Sequence, residues 1–291
     1  MKRNDSQQLH QNDLLGSWLI EASAQLKPVS DIPALESQMV ASHILGKPQS
    51  WVIAHPEVVL GHSLIEKMNG VLRSLIDGCP FAYITGQREF YGRPMEVRPG
   101  LLVPRPETEL LIEKALRWLE NHPKRRSAVD VGCGTGCIAV TLAAEVVDLI
   151  VDAIDVDPLA IQLTNQNAAN HNVQDQVATF TGYLLNPIQR QYDLICANLP
   201  YIPSDTVKDL PAARYEPVLA LDGGTDGLRL VEPLLQQAVD KLRFGGLILL
   251  EIEASQGKTA PALAQQYFPD ATVLLHRDLA GLPRIVSIQS K

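Results

Sequence analysis

The chain has 291 residues, of which 46% are hydrophobic and 20% charged, and this composition excludes a wholly disordered protein. Its formal net charge is −8, with 33 acidic and 25 basic residues, which weighs against nucleic acid as the direct partner. No apolar run is long enough for a membrane helix, so no membrane contact is expected. The four cysteines form no disulfide framework, which favours a reducing, cytoplasmic location.

The first part of the chain has the periodicity of helices. Apolar residues recur at spacings of three and four over 14–26 and 35–44, and a third helix is predicted over 62–77. These segments predict a small helical domain over residues 1–80, with Trp18 and Trp51 in its core. None of its residues forms a pattern typical of catalysis, so we expect this domain to recognise the substrate.

Residues 81–103 are predicted to link this helical domain to the rest of the chain. The sequence from Arg88 to Val97 predicts a β-hairpin with its turn at Gly92-Arg93-Pro94. An amphipathic helix is predicted directly after the linker, over 108–118.

From residue 127 onward, short apolar strands alternate with helices. Strands are predicted over 128–131, 149–155, 178–181, 193–197, 247–252, 272–275 and 285–288. The alternation indicates a parallel sheet covered by helices on both faces, and the short last connection indicates an antiparallel hairpin at the sheet edge. Residues 104–291 are therefore predicted to form an α/β domain.

A glycine-rich turn joins the first of these strands to a helix. Its spacing is Gly-x-Gly-x-Gly, which differs from the dinucleotide fingerprint, and an aspartate precedes it at the strand end. A carboxylate there would repel a pyrophosphate but would pair with an ammonium group, and S-adenosyl-L-methionine carries an ammonium and no phosphate. The turn is therefore similar to that of class I methyltransferases. The residues predicted to bind this methyl donor here are Asp130, Gly132, Cys133, Gly134, Thr135 and Gly136.

Two aspartates lie at and just after the end of the second predicted strand. Asp155 lies 19 residues after Gly136 in the sequence, where a carboxylate can accept hydrogen bonds from both ribose hydroxyls of a nucleoside. Asp157 precedes a proline and is predicted to cap a helix. Cys133 and Cys137 lie within the ligand turn without a nearby His or Cys partner, so no metal site is predicted.

The fourth predicted strand ends in Asn198-Leu199-Pro200-Tyr201, at the edge of the sheet where ligands bind in such folds. An amide or exocyclic nitrogen is a poor nucleophile because its lone pair is delocalised. The side-chain oxygen of Asn198 and the backbone carbonyl of Leu199 can each accept one N–H, which polarises the nitrogen toward the methyl donor. Pro200 holds Leu199 extended, and Tyr201 can pack against the flat substrate group.

These four residues are therefore the predicted catalytic and substrate-binding residues. They supply hydrogen-bond acceptors but no group whose pKa lies near neutrality. We accordingly expect no general base and a methyl-transfer rate that is nearly independent of pH from about 6 to about 9.

Taken together, these motifs resemble the HemK/PrmC family of protein-(glutamine-N5) methyltransferases, which modify bacterial peptide chain release factors. Further segments of resemblance lie at 86–92, 102–109, 215–217, 220–228 and 250–252. The resemblance implies an N-terminal helical bundle, a β-hairpin linker and a class I, Rossmann-like domain dependent on S-adenosyl-L-methionine. It implies methylation of the glutamine in the Gly-Gly-Gln loop of release factors. It also implies that Asp155 and Asn198 contact the donor and that Tyr183 stacks beside the adenine.

Three alternatives stay open at this point. One is the sister enzyme that methylates a glutamine of a large-subunit ribosomal protein, against which the segment at 106–109 favours the release-factor branch. A DNA adenine-N6 methyltransferase shares the Asn-x-Pro-Tyr motif, but the acidic net charge of this chain and its lack of a target-recognition insertion weigh against that function. A non-catalytic protein that binds S-adenosylmethionine would not need the intact Asn198 and Tyr201.

Overall fold

The computed structural model describes residues 13–291, which form two compact units, one ending at Thr85 and the other beginning at Gly86. Residues 1–12 of the predicted helical domain lie outside the described residues. The predicted division of roles among a recognition domain, a linker and a catalytic domain stays a prediction. None of the helices between residues 13 and 291 is long and apolar enough to cross a membrane.

The first unit is helical, as predicted. Its helices are α1 (Leu15–Leu26), α2 (Pro33–Leu45), α3 (Gln49–Ala54), α4 (His62–Ile76) and α5 (Phe81–Thr85). The sequence analysis missed α3 and α5 because helices of 6 and 5 residues are too short to show a period. Trp18 is buried in the core of this unit, and its indole N–H donates to Asn69 Oδ1 at 2.8 Å. Trp51 is partly buried against the same core, so both predicted core positions are confirmed.

The second unit begins with the predicted hairpin, formed by β1 (Gln87–Phe90) and β2 (Arg93–Glu96). The predicted turn was wrong. The two turn residues are Tyr91 and Gly92, with φ angles of 51° and 71°, and Phe90 pairs with Arg93. Such a turn needs positive φ at both central positions, which proline cannot adopt, and Pro94 lies instead within β2.

A seven-stranded sheet forms the centre of the second unit. Its strands are β3 (Ser127–Val131), β4 (Ile150–Asp155), β5 (Val177–Thr181), β6 (Tyr192–Ala197), β7 (Leu242–Glu251), β8 (Thr272–Arg277) and β9 (Pro283–Gln289). The spatial order is β5-β4-β3-β6-β7-β9-β8. Strands β3 to β7 are parallel, and β9 runs antiparallel to both β7 and β8. All seven predicted strands and the antiparallel edge are confirmed.

Helices cover both faces of this sheet. They are α6 (Glu109–Asn121), α7 (Cys137–Glu145), α8 (Pro158–Asn170), α9 (Ser204–Val207), α10 (Val231–Lys241) and α11 (Thr259–Tyr267). Apolar side chains of α6 and α7 pack with Ala128 of β3 on one face, and those of α10 and α11 pack with Val129 on the other. After β3 the chain continues toward β4 on one side, and after β6 it continues toward β7 on the other. This reversal opens a crevice beyond the carboxyl ends of β3 and β6.

Candidate active site

A cavity of about 480 Å³ occupies this crevice. The predicted site residues in its wall are Gly132, Cys133, Gly134, Thr135, Asp155, Tyr183, Asn198, Leu199 and Pro200. They lie at or just after the carboxyl ends of β3, β4, β5 and β6, and the fold brings them together because parallel strands end at the same edge of a sheet. Asp130, Gly136 and Tyr201 are not among the residues of the wall.

The glycine turn packs directly against the segment that follows β6. The backbone N–H groups of Gly132 and Cys133 both donate to the carbonyl of Ile154, at 2.8 and 3.0 Å, which ties the turn to the end of β4. Gly132 has a φ of +75°, and a Cβ there would lie 2.9 Å from Cδ2 of Leu199. The backbone conformation therefore favours glycine, and any larger residue would also have to displace the end of the Leu199 side chain.

Asp155 connects the turn to the start of α8. Its Oδ2 accepts from the backbone N–H of Gly134 and its Oδ1 from that of Asp157, both at 2.9 Å. Each carboxylate oxygen has a second lone pair, so the side chain keeps acceptor capacity toward the cavity. Burial raises the pKa of Asp155 above its usual value. Asp157 caps α8 by accepting from the N–H of Leu159 at 2.8 Å, which confirms its predicted role.

Asp130 lies behind the turn rather than in the wall. It is fully buried, and its Oδ2 accepts from the N–H of Ala139 at 3.1 Å, in the first turn of α7. Burial raises the pKa of Asp130 to about 7. The sequence analysis placed it at the end of β3 but did not consider which face of the strand it occupies. Its predicted pairing with an ammonium group stays a prediction.

The amide of Asn198 has a fixed orientation. Its Nδ2 donates to the hydroxyl oxygen of Thr108 at 3.0 Å. The side-chain oxygen of Asn198 is therefore left to accept hydrogen bonds from other groups. Tyr201 is held outside the wall, since its hydroxyl donates to Oε1 of Glu251 at 3.2 Å and its carbonyl accepts from Gln256 at 2.9 Å. The predicted packing of Tyr201 on the substrate stays a prediction.

Thr108 and Glu251 were missed as site residues by the sequence analysis. Glu251 is 2% exposed at the end of β7, and burial raises its pKa to about 7. Burial raises the pKa of Tyr201, so none of the four motif residues titrates near neutrality, and the expected pH independence stays a prediction. The sequence signal that could have identified Glu251 is a glutamate within a strand of otherwise apolar residues.

The mouth of the cavity combines a cation with apolar side chains. Arg105 lies in the wall and forms an ion pair with Glu216, which is 3% exposed and also accepts from the N–H of Val103 at 2.9 Å. This pair fastens the segment before α6 to the loop that carries Pro217 and Leu219, which also line the cavity. Leu219 is 62% exposed, so this mouth offers an accessible apolar surface.

The fold and the cavity define the class of protein. A family model described as "Methyltransferase small domain" matches residues 107–214, and one described as "PrmC N-terminal domain" matches residues 17–86. A 16S rRNA methyltransferase from T. thermophilus, solved in complex with AdoMet and guanosine, superimposes with a TM-score of 0.53 and 17% identity. That match covers 70% of this chain and 50% of the other. The second unit is therefore a Rossmann-like methyltransferase domain.

Relatives at higher identity show the family. A release factor glutamine methyltransferase from Coxiella burnetii is 34% identical, over 91% of this chain and 94% of that protein. One from Aquifex aeolicus is 32% identical, over 93% of this chain and 96% of that protein. The chain belongs to the family of release factor glutamine methyltransferases, and the resemblance read from the motifs is confirmed.

Proposed function

We propose that this protein transfers the methyl group of S-adenosyl-L-methionine to N5, the side-chain amide nitrogen, of the glutamine in the Gly-Gly-Gln loop of peptide chain release factors. One observation carries the proposal. A single cavity wall combines the glycine turn and Asp155 with the oriented amide of Asn198. The relatives named for this activity cover nearly the whole chain and support the substrate. The proposal places the activity in the cytoplasm and involves no metal and no direct contact with nucleic acid or a membrane.

The wall fits the proposed methyl donor. Asp155 presents acceptor oxygens for ribose hydroxyls, and Tyr183, which is 44% exposed, offers an aromatic face for the adenine. Gly132 lets the backbone of the turn lie close to Leu199, so both segments can contact one ligand. When bound, this donor supplies an electrophilic methyl group on a sulfonium.

The residues of the chain orient the glutamine. The Asn198 side-chain oxygen and the Leu199 carbonyl each accept one N–H of the substrate amide, which directs its nitrogen toward the methyl group. Such an amide does not lose a proton at neutral pH, so its proton leaves after the methyl has been transferred. Catalysis then depends on orientation and on fixed dipoles, which need no reorganisation during the reaction.

The first prediction concerns Asp155. Asp155→Ala is expected to weaken donor binding by about 1–3 kcal/mol, because charged acceptors to the ribose are lost and the turn loses its tie through Gly134. Asp155→Asn keeps one acceptor oxygen, so its donor affinity should lie between those of the wild type and Asp155→Ala. Calorimetric titration with the donor measures the change, and an unaltered affinity in the alanine variant would refute the ribose role.

Mass spectrometry of a release factor, incubated with the enzyme and the donor, tests the proposed activity. We expect one added methyl group on the glutamine of the Gly-Gly-Gln loop, and none on a release factor in which that glutamine is replaced. A large-subunit ribosomal protein incubated in parallel tests the sister activity. Methylation of the ribosomal protein without methylation of the release factor would overturn the proposal.

The N-terminal helical unit is proposed to recognise the release factor. A single amide side chain offers too little surface to be positioned alone, so the enzyme needs further contacts with a macromolecular substrate. Removing residues 1–85 is expected to reduce release-factor methylation far more than donor affinity. Circular dichroism must show that the truncated protein is folded. An equal loss of release-factor methylation and donor affinity in the folded protein would contradict this role.

A further inference from the structure

Helix α8 contacts the glycine turn through two buried polar side chains. Thr164 and Asn167 are both fully buried and lie three residues apart, so they share one face of the helix. The hydroxyl of Thr164 donates to the carbonyl of Gly134 at 3.3 Å. The Nδ2 of Asn167 donates to the carbonyl of Thr135 at 2.8 Å. Two successive carbonyls of the turn are therefore bound to α8.

The orientation of the Asn167 amide is set by the linker hairpin. Its Oδ1 accepts from the backbone N–H of Glu96 at 2.8 Å, and its Nδ2 donates to the carbonyl of the same residue at 3.0 Å. Reversing the amide would place donor against donor at this N–H, so the second proton of Nδ2 is directed to Thr135. Glu96 is the last residue of β2, at the end of the hairpin away from its turn.

Thr164 touches the turn at two further points. Its hydroxyl oxygen lies 3.4 Å from Sγ of Cys133, and a Cβ at Gly136 would lie 2.8 Å from its side chain. The thiol of Cys133 can donate to this oxygen, which leaves the hydroxyl proton for the carbonyl of Gly134. The turn is thus packed tightly on this face of α8.

These contacts determine which way the peptide groups of the turn face. The peptide bonds are trans, so each N–H points opposite to the C=O of its own peptide group. Because the carbonyl of Gly134 faces α8, the N–H of Thr135 faces away from that helix. Thr135 lies in the cavity wall, and its N–H has no hydrogen-bond partner among residues 13–291. The turn therefore keeps one backbone donor for a ligand.

We propose that Thr164 and Asn167 are positioning residues that hold the glycine turn in the conformation that binds the methyl donor. Neither residue lies in the cavity wall, so both act through the carbonyls of Gly134 and Thr135. Without these bonds a carbonyl could rotate toward the cavity and place an acceptor where the turn must offer an N–H. The inference rests on the proposed function, because it assumes that the turn binds S-adenosyl-L-methionine.

A loosened turn has a characteristic effect on binding and rate. If the turn adopts several conformations, the apparent donor affinity falls by the fraction of molecules in the competent one. Enzyme saturated with donor has the competent turn, so its transfer rate is retained. Loss of Thr164 or Asn167 contacts should therefore reduce donor affinity and leave the saturated rate close to that of the wild type.

The test compares Thr164→Val with Thr164→Ser in the full-length enzyme. Valine replaces the hydroxyl with a methyl group of similar size, whereas serine keeps the hydroxyl. Thr164→Val should weaken donor binding about 2- to 10-fold in calorimetric titration, which is the effect of one hydrogen bond. Thr164→Ser should bind the donor nearly as tightly as the wild type. Single-turnover methylation of a release factor at saturating donor should be close to wild type in both variants.

A second variant and two controls lie on the same helix. Asn167→Ala removes three hydrogen bonds and should weaken donor binding about 10-fold or more. Asn165→Ala alters an exposed residue bonded to Thr179 and should leave donor affinity unchanged. Ala168→Gly weakens α8 at a buried position outside the cavity wall. It should lower the melting temperature without changing donor affinity.

Four results bear against these assignments. Wild-type donor affinity in Thr164→Val and in folded Asn167→Ala would overturn the inference. Equal donor affinities in the valine and serine variants would show that the hydroxyl does not hold the turn. A loss of affinity in Ala168→Gly as large as in Asn167→Ala would reduce the effect to the stability of α8. If Asn167→Ala does not fold, the Thr164 pair decides alone. A wild type that binds no donor would instead refute the proposed function.

Discussion

Asn198→Ala is expected to lower the rate of methyl transfer about 10²- to 10³-fold, as does the loss of one preorganised polar group in other active sites. The variant removes the acceptor that we assign to the glutamine N–H and leaves the Thr108 hydroxyl without the N–H that it accepts at 3.0 Å. Donor affinity should fall less, because the glycine turn and Asp155 are unchanged. Single-turnover rates with a release factor and calorimetry with the donor measure the two effects separately.

Asn198→Asp is the matched control for this variant. It keeps an acceptor of nearly the same shape, so its rate should lie between those of the wild type and Asn198→Ala. The new carboxylate would lie next to the Thr108 hydroxyl, which can donate its proton in place of accepting the N–H of Asn198. An alanine variant with a wild-type rate would contradict the assigned role of Asn198.

Gly132→Ala is expected to reduce both the stability of the protein and its methyl-transfer rate. The residue has a φ of +75°, and the added Cβ would lie 2.9 Å from the side chain of buried Leu199, which must move. We expect a loss of about 1–3 kcal/mol in the free energy of unfolding. Crowding of the Leu199 side chain, next to Asn198, should slow transfer about 10- to 100-fold, because small misplacements of a substrate are costly.

Gly92→Ala separates these two effects. Gly92 has a similar φ of +71°, no atom lies within 4 Å of an added Cβ, and the residue is not part of the cavity wall. This variant should lose stability through its backbone alone and keep the transfer rate. Denaturant unfolding and single-turnover kinetics on both variants provide the comparison. Equal rates in the two variants would show that the contact with Leu199 does not position the substrate.

The regular part of the fold could be predicted because it depends on local patterns. The seven strands of the sheet each bury a short apolar run, and the period of apolar residues marks the longer helices. The hairpin was predicted but its turn was not. The pattern around Pro94 suggested a turn, whereas the positive φ of Tyr91 is not favoured by its residue type.

The candidate site could be predicted in part. The glycine turn, Asp155 and Asn198 could be predicted because each lies at or just after the end of a strand, and the fold brings the strand ends of a parallel sheet together. The orientation of Asp130 was not foreseen, since it depends on which face of β3 packs against α7. Its carboxylate caps that helix behind the turn.

The sequence by itself determined the family, the two kinds of domain and the chemistry that each strand end can offer. Only the tertiary structure decided how those groups are oriented and charged. Thr108 and Asn198 follow no shared local pattern, yet their side chains are hydrogen-bonded because α6, which begins after Thr108, packs against β6 and β7. The partner of an amide and the pKa of a buried carboxyl depend on such neighbours. Burial and long-range contact are properties of the packed molecule, and no local periodicity encodes them.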